Sequence, residues 1–168
     1  MITANEIIEM TIKASDVVLS LAGENFNELG NFTAVSDGGI IAGVVSWSDD
    51  AEMFDTLSQM SRFFISKNVN AYVTVMPVVH QITNEEAVMF SAADRDGNKV
   101  RKIRTVTRND DGVTLGPVQD EKPDVMCELL SYKGWSEETK EMTRKFIDAQ
   151  ASELVKNELY GGQNPTLH

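Results

Sequence analysis

The chain has 168 residues, 42% hydrophobic and 24% charged, with a formal net charge of −11 and a pI near 4.6. That length suits one domain with a sizeable core, and the acidity excludes general binding to nucleic acid or anionic membranes over most of the surface. No stretch approaches the roughly 18 apolar residues of a membrane span, and the single cysteine, Cys127, excludes an intramolecular disulfide.

Thr3 followed by Glu6 is a capping-box pattern. Ile7, Met10, Ala14, Val17 and Leu21 then recur at spacings of 3, 4, 3 and 4, which predicts one buried face of a helix. Ile8, Ile12 and Val18 widen that stripe, and Gly23 is a C-terminal stop. Residues 32–36 and 40–47 read as two strands around Asp37-Gly38-Gly39, which tolerates positive φ in a tight turn. Gly43 weakens the second strand or marks a bulge or close backbone approach. Ser48-Asp49-Asp50 offers caps for a second helix, with Met53, Leu57, Met60 and Phe64 inward, Phe54 and Phe63 beside them, and an end at Lys67-Asn68.

Residues 69–82 give the strongest strand signal, rich in valine. Pro77 within it predicts a sheet edge or a bulge. Strands follow at 87–93, 99–108 and 113–118, joined by turns at 94–98 and 109–112, as in an antiparallel meander. Residues 120–123 read as a polar connector and 124–132 as a short helix or an extended segment. Ser136 caps a long final helix with Met142, Phe146 and Ala149 inward, ended by Gly161-Gly162. The reading is one α+β domain over 1–162 and a loose tail over 163–168. Its order is α-β-β-α-β-β-β-(β)-α, with about three helices in one layer on an antiparallel sheet of a hairpin plus a meander. This element order resembles the profilin-like and roadblock group, and PAS-like and GAF-like sensor domains have similar orders. The resemblance implies a single sheet carrying the helices and transfers no functional residue.

Charge is unevenly spread. Residues 1–60 carry a net −9, residues 94–109 a net +4. The basic island is Lys99, Arg101, Lys102, Arg104 and Arg108. In a strand, Lys99 and Arg101 share one face and the other three share the opposite one. Val100, Ile103 and Val106 break a clean alternation, so a bulge is one way to re-aim some of these side chains. The bases read as an anion- or partner-binding surface, as a charged strand that resists edge aggregation, or as partners of the chain's own acids within or between subunits. No aromatic residues interleave with them, which argues against stacking on single-stranded nucleic acid.

Asp94-Arg95-Asp96-Gly97-Asn98 has acids and amide at alternate positions but lacks the glycine and glutamate positions of a calcium loop; it reads as a hairpin turn. His80 is the only histidine outside the last residue and the one candidate general base, with Cys127 a conceivable nucleophilic partner. Two histidines and one cysteine do not make a zinc set, so no metal or cofactor is assigned. Asp49, Asp50, Glu52 and Asp55 read as helix capping. The eight methionines read as core filler or an adaptable surface.

Phosphate-loop, dinucleotide and nucleophile-elbow motifs are missing from the sequence. The function expected is a small acidic, non-enzymatic interaction or accessory protein, of the kind found in phages and mobile elements. It self-associates or binds another protein in the reducing cytoplasm, away from membranes and nucleic acid. The alternatives are a ligand-sensing regulatory domain and a small enzyme built on His80 or a carboxylate cluster.

Overall fold

The computed structural model describes residues 1–23, 29–80 and 82–130. The helix expected after Ser136 and the tail lie outside them.

Helix α1 spans Ala4–Ala22. The Glu6 N–H donates to the Thr3 hydroxyl at 3.2 Å, and the Thr3 N–H donates to the Glu6 carboxylate at 2.8 Å, the reciprocal cap that the sequence predicts. Strands β1 (Asn31–Ser36) and β2 (Gly39–Val44) form the hairpin, in unbroken register through Phe32 opposite Gly43. Helix α2 (Asp50–Ser66) starts at Asp49, whose carboxylate accepts the Glu52 N–H at 2.8 Å. The meander follows as β3 (Val69–Val79), β4 (Glu86–Asp94), β5 (Lys99–Asn109) and β6 (Gly112–Leu115). Strand β7 (Gln119–Glu121), which overlaps the start of the expected polar connector, adds to β5. A short 3-10 turn occupies Val125–Cys127.

The strands form one curled antiparallel sheet in the order β2-β1-β3-β4-β5-β6. The hairpin is stitched to the meander by β1, which runs antiparallel to β3 as far as Val75. Pro77 lies beyond that point and, among the described residues, faces a strand only on the β4 side, the local edge its presence predicts.

The helices are not in one layer. Helix α1 packs Ala4, Ile7, Ile8 and Ile12 on one face of the sheet against Val73, Val75, Val88 and Phe90. On the opposite face, Leu57, Met60, Phe63 and Phe64 of α2 meet Phe32, Tyr72, Leu129 and Leu130. The physical reason is β3 itself: Val69 through Val75 are all buried, so both of its faces need cover. The Tyr72 hydroxyl donates to the Met126 carbonyl at 2.5 Å and accepts the Leu129 N–H at 3.2 Å, fixing the 3-10 turn to the α2 side.

Helix α1 is also less buried than its periodicity predicts. Its covered stripe is Ala4, Ile7, Ile8, Ile12 and Ser15, whereas Met10, Val17, Val18 and Leu21 are exposed. The first half of the helix sits on the centre of the sheet, and the second half leaves a groove of about 560 Å³ beside β1 and β2. Among the described residues no helix is long and apolar enough to cross a membrane.

Candidate functional site

The five bases run the length of β5, from Lys99 at its start to Arg108 near its end, and the pleat divides them as the sequence predicts. Ser91 lies opposite Arg101 and Ala93 opposite Lys99, whereas Phe90 lies opposite Lys102 and Val88 opposite Arg104. Register runs unbroken from Glu86–Val106 to Ala93–Lys99, so the bulge considered for this strand is not there. Val100 and Val106 lie on the α1 face with the bases, which accounts for the irregular alternation.

Each base meets an acid of the same chain. Lys102 lies 3.0 Å from Asp120 and 3.7 Å from Glu9, and Arg104 lies 2.6 Å from Asp16 on α1. Arg108 meets Glu86 at 3.0 Å. On the other face, Lys99 meets Glu128 at 2.6 Å and Arg101 meets Asp124 at 3.1 Å. Arg104 also donates to the Gly116 carbonyl at 2.9 Å, and Arg101 donates to the Lys122 carbonyl and lies against the Met89 sulfur. The basic strand therefore ties α1, β7 and the 3-10 turn to the sheet. Charge-assisted contacts of this kind hold elements in register more than they add net stability.

His80 lies at the exposed end of β3. Its Nδ1 accepts the Ile82 and Thr83 N–H groups at 3.3 and 3.2 Å, which organises the β3–β4 turn. Cys127 is buried and donates to the Val100 carbonyl at 3.7 Å. Burial pushes its thiol pKa up, outweighing the opposing backbone hydrogen bond at Asp124, and so disfavours the nucleophilic thiolate. Val79 pairs with Glu86, and Ala92 pairs with Val100. The two sites are therefore six residues apart along β4, on the order of 20 Å at the strand rise. They do not form a dyad.

The Asp94 turn is a densely bonded polar site. One carboxylate oxygen accepts the Asp96 and Asn98 N–H groups at 3.0 and 3.1 Å. The other accepts the Ala4 N–H at 2.9 Å, and the Asn98 amide reaches both. Desolvation pushes this carboxyl up. The bonds from Ala4, Asn98 and Asp96 outweigh that, and its pKa lies below the ordinary 3.8. The ligand positions of a cation are here filled by N–H donors. At the start of α2, Asp49 caps the helix and Glu52 accepts the Ser48 N–H at 2.7 Å, so two of the four acids there are engaged in local capping. Among the described residues no group of three or more His, Cys, Asp or Glu side chains could hold a metal ion.

The feature that sequence periodicity hides is apolar. Met10, Val17, Val18 and Leu21 of α1 are exposed, as is Ile40 of β2, which is 74% accessible. The groove between α1 and β1–β2 links Met10, Val18 and Ile40 and is lined also by Thr33 and Val35. A signal was available: apolar residues occupy more of the helix circumference than one packing face requires.

Compared with protein-family models, curated proteins and solved structures, the chain matches none.

Proposed function

We propose that the chain is a non-enzymatic interaction protein of the accessory kind, which self-associates through its apolar α1–β2 side. The observation that carries this reading is the contrast between two surfaces. The β5 bases are each engaged by an acid of the same chain. The exposed Met10, Val18 and Ile40 line one groove, and Val17 and Leu21 of the same helix are exposed as well; exposed apolar groups of this kind characterise association surfaces. Within this reading, β5 serves a partner only where a partner's carboxylates replace the internal ones. Lys99 and Arg108 are the most accessible of the five for that exchange. The lone buried cysteine accords with a reducing cytoplasm as the place of action.

Multi-angle light scattering on the full chain across a hundredfold range of concentration tests the proposal. A mass rising reversibly from monomer towards dimer is expected. A strict monomer up to millimolar concentration overturns it.

A further inference from the structure

Strand β2 is an open edge of a distinctive kind. Among the described residues it pairs only with β1. The Val45 N–H donates to the Gly30 carbonyl at 2.8 Å. In an antiparallel ladder this turns the main-chain groups of Gly43 and Ile41 towards β1 and those of Val44, Ala42 and Ile40 outwards. The strand, Gly-Ile-Ile-Ala-Gly-Val, contains neither a charge nor a proline. The far side of the sheet is managed differently: β6 has four residues, β7 has three, and the latter ends in Asp120 and Glu121. Edges are ordinarily blunted by shortness, charge, proline or bulges; β2 has none of these.

Resting on the self-association proposed above, we infer that two copies of this chain join by antiparallel pairing of β2 with β2, about a two-fold axis perpendicular to the sheet. The occupant of an open edge must be an extended backbone, and three observations select a second copy. An antiparallel strand is its own complement: centring the pair on Ala42 sets Ile40 opposite Val44 of the second copy, with the outward N–H and C=O groups of both strands facing one another. Charge points the same way, because a molecule of net charge −11 associates with itself most readily where no acids are brought together, and β2 is uncharged. Continuity is the third: the axis keeps both α1 helices on one side of the joined sheet. The half-open groove of each copy then flanks the seam, and Val18 and Ile40 lose solvent together. A six-residue strand is about 20 Å long, which makes the seam smaller than the roughly 1,600 Å² of a standard stable interface. The dimer is accordingly weak and reversible.

Amide hydrogen exchange on the wild-type full chain, read in dilute solution and at concentrations that give the dimer by light scattering, is the direct test. The amides of Ile40, Ala42 and Val44 should exchange at least tenfold more slowly in the dimer, with those of Ile41 and Gly43 unchanged. Protection of the first three already in the dilute monomer would mean that the chain covers its own edge, and overturns the inference. So does a dimer that leaves their exchange unaltered. In parallel, Ile40→Lys with Ala42→Lys should weaken dimerisation at least tenfold while leaving the circular dichroism unchanged. If that variant still dimerises and Val17→Lys with Leu21→Lys does not, self-association stands and β2 pairing falls. If the wild type never dimerises, the proposed function itself falls.

Discussion

The Asp94 carboxylate accepts the backbone N–H of Ala4 at 2.9 Å, joining the first turn of α1 to a hairpin ninety residues away. A sequence pattern that superficially suggests cation binding thereby caps a helix and closes a turn at once. The carboxylate is buried, and its negative charge lies at the positive end of the α1 dipole.

Asp94→Ala leaves the Ala4, Asp96 and Asn98 N–H groups without their acceptor. A loss of about 2–3 kcal/mol is expected, the range for breaking a buried charge-assisted network. Urea unfolding of both proteins measures it. Asp94→Asn should recover part of the loss, since its side-chain oxygen still accepts.

The same carboxyl gives stability a pH dependence of known sign. Its folded pKa lies below 3.8, so the unfolded chain takes up its proton first on acidification. The contribution is complete above about pH 4 and is lost as pH falls through the folded value. Glu6, lowered chiefly by its bond from the Thr3 N–H, acts in the same direction below its ordinary 4.5. Thermal unfolding from pH 6 to pH 2 should show Tm falling mainly below pH 4.5, and less steeply in Asp94→Asn.

Arg104 separates two roles for the basic strand. It is largely buried and lies 2.6 Å from Asp16. Arg104→Glu should cost about 2 kcal/mol, because it sets two acids against each other where Asp16 still has partial access to water. Adding Asp16→Arg should restore part of the loss by denaturant unfolding. If β5 were chiefly a docking surface, the single change would weaken association and leave stability nearly intact.

His80→Ala removes the acceptor of the Ile82 and Thr83 N–H groups in an exposed turn, where water can replace it. The unfolding free energy should change by no more than about 0.5 kcal/mol. Self-association by light scattering should be unaltered.

Much of the fold is legible in the residues. Thr3 and Glu6, Asp37 with its two glycines, Asp49 and Pro77 each mark a local event that short-range chemistry decides. Local chemistry does not say which side of a sheet a helix covers, and the one-layer arrangement failed there. The apolar residues on both faces of β3, Ala71, Val73 and Val75 on one and Tyr72 on the other, held the relevant clue. Helix α1 misleads for a related reason: at about 100° per residue, Met10, Val17 and Leu21 lie roughly opposite Ile8. A 3-4 spacing holds for both faces, and only the packing partner decides which is buried. The site was legible in part. The pleat of β5 fixes which bases share a face, but the acids that meet them come from α1, β4, β7 and the 3-10 turn. Those pairings depend on tertiary position, which spacing along the chain does not contain.

Salt distinguishes an apolar seam from pairing of opposite charges. Between molecules that are both strongly acidic, added salt screens repulsion and leaves apolar and main-chain contacts intact; between a basic strand and an acidic face it screens the attraction itself. Sedimentation velocity of the full chain at one concentration, from 20 mM to 500 mM sodium chloride, reads this directly. A weight-average mass that rises with salt is the result expected. A mass that falls towards the monomer would contradict association through the α1–β2 side and return the basic strand to the centre of the interface.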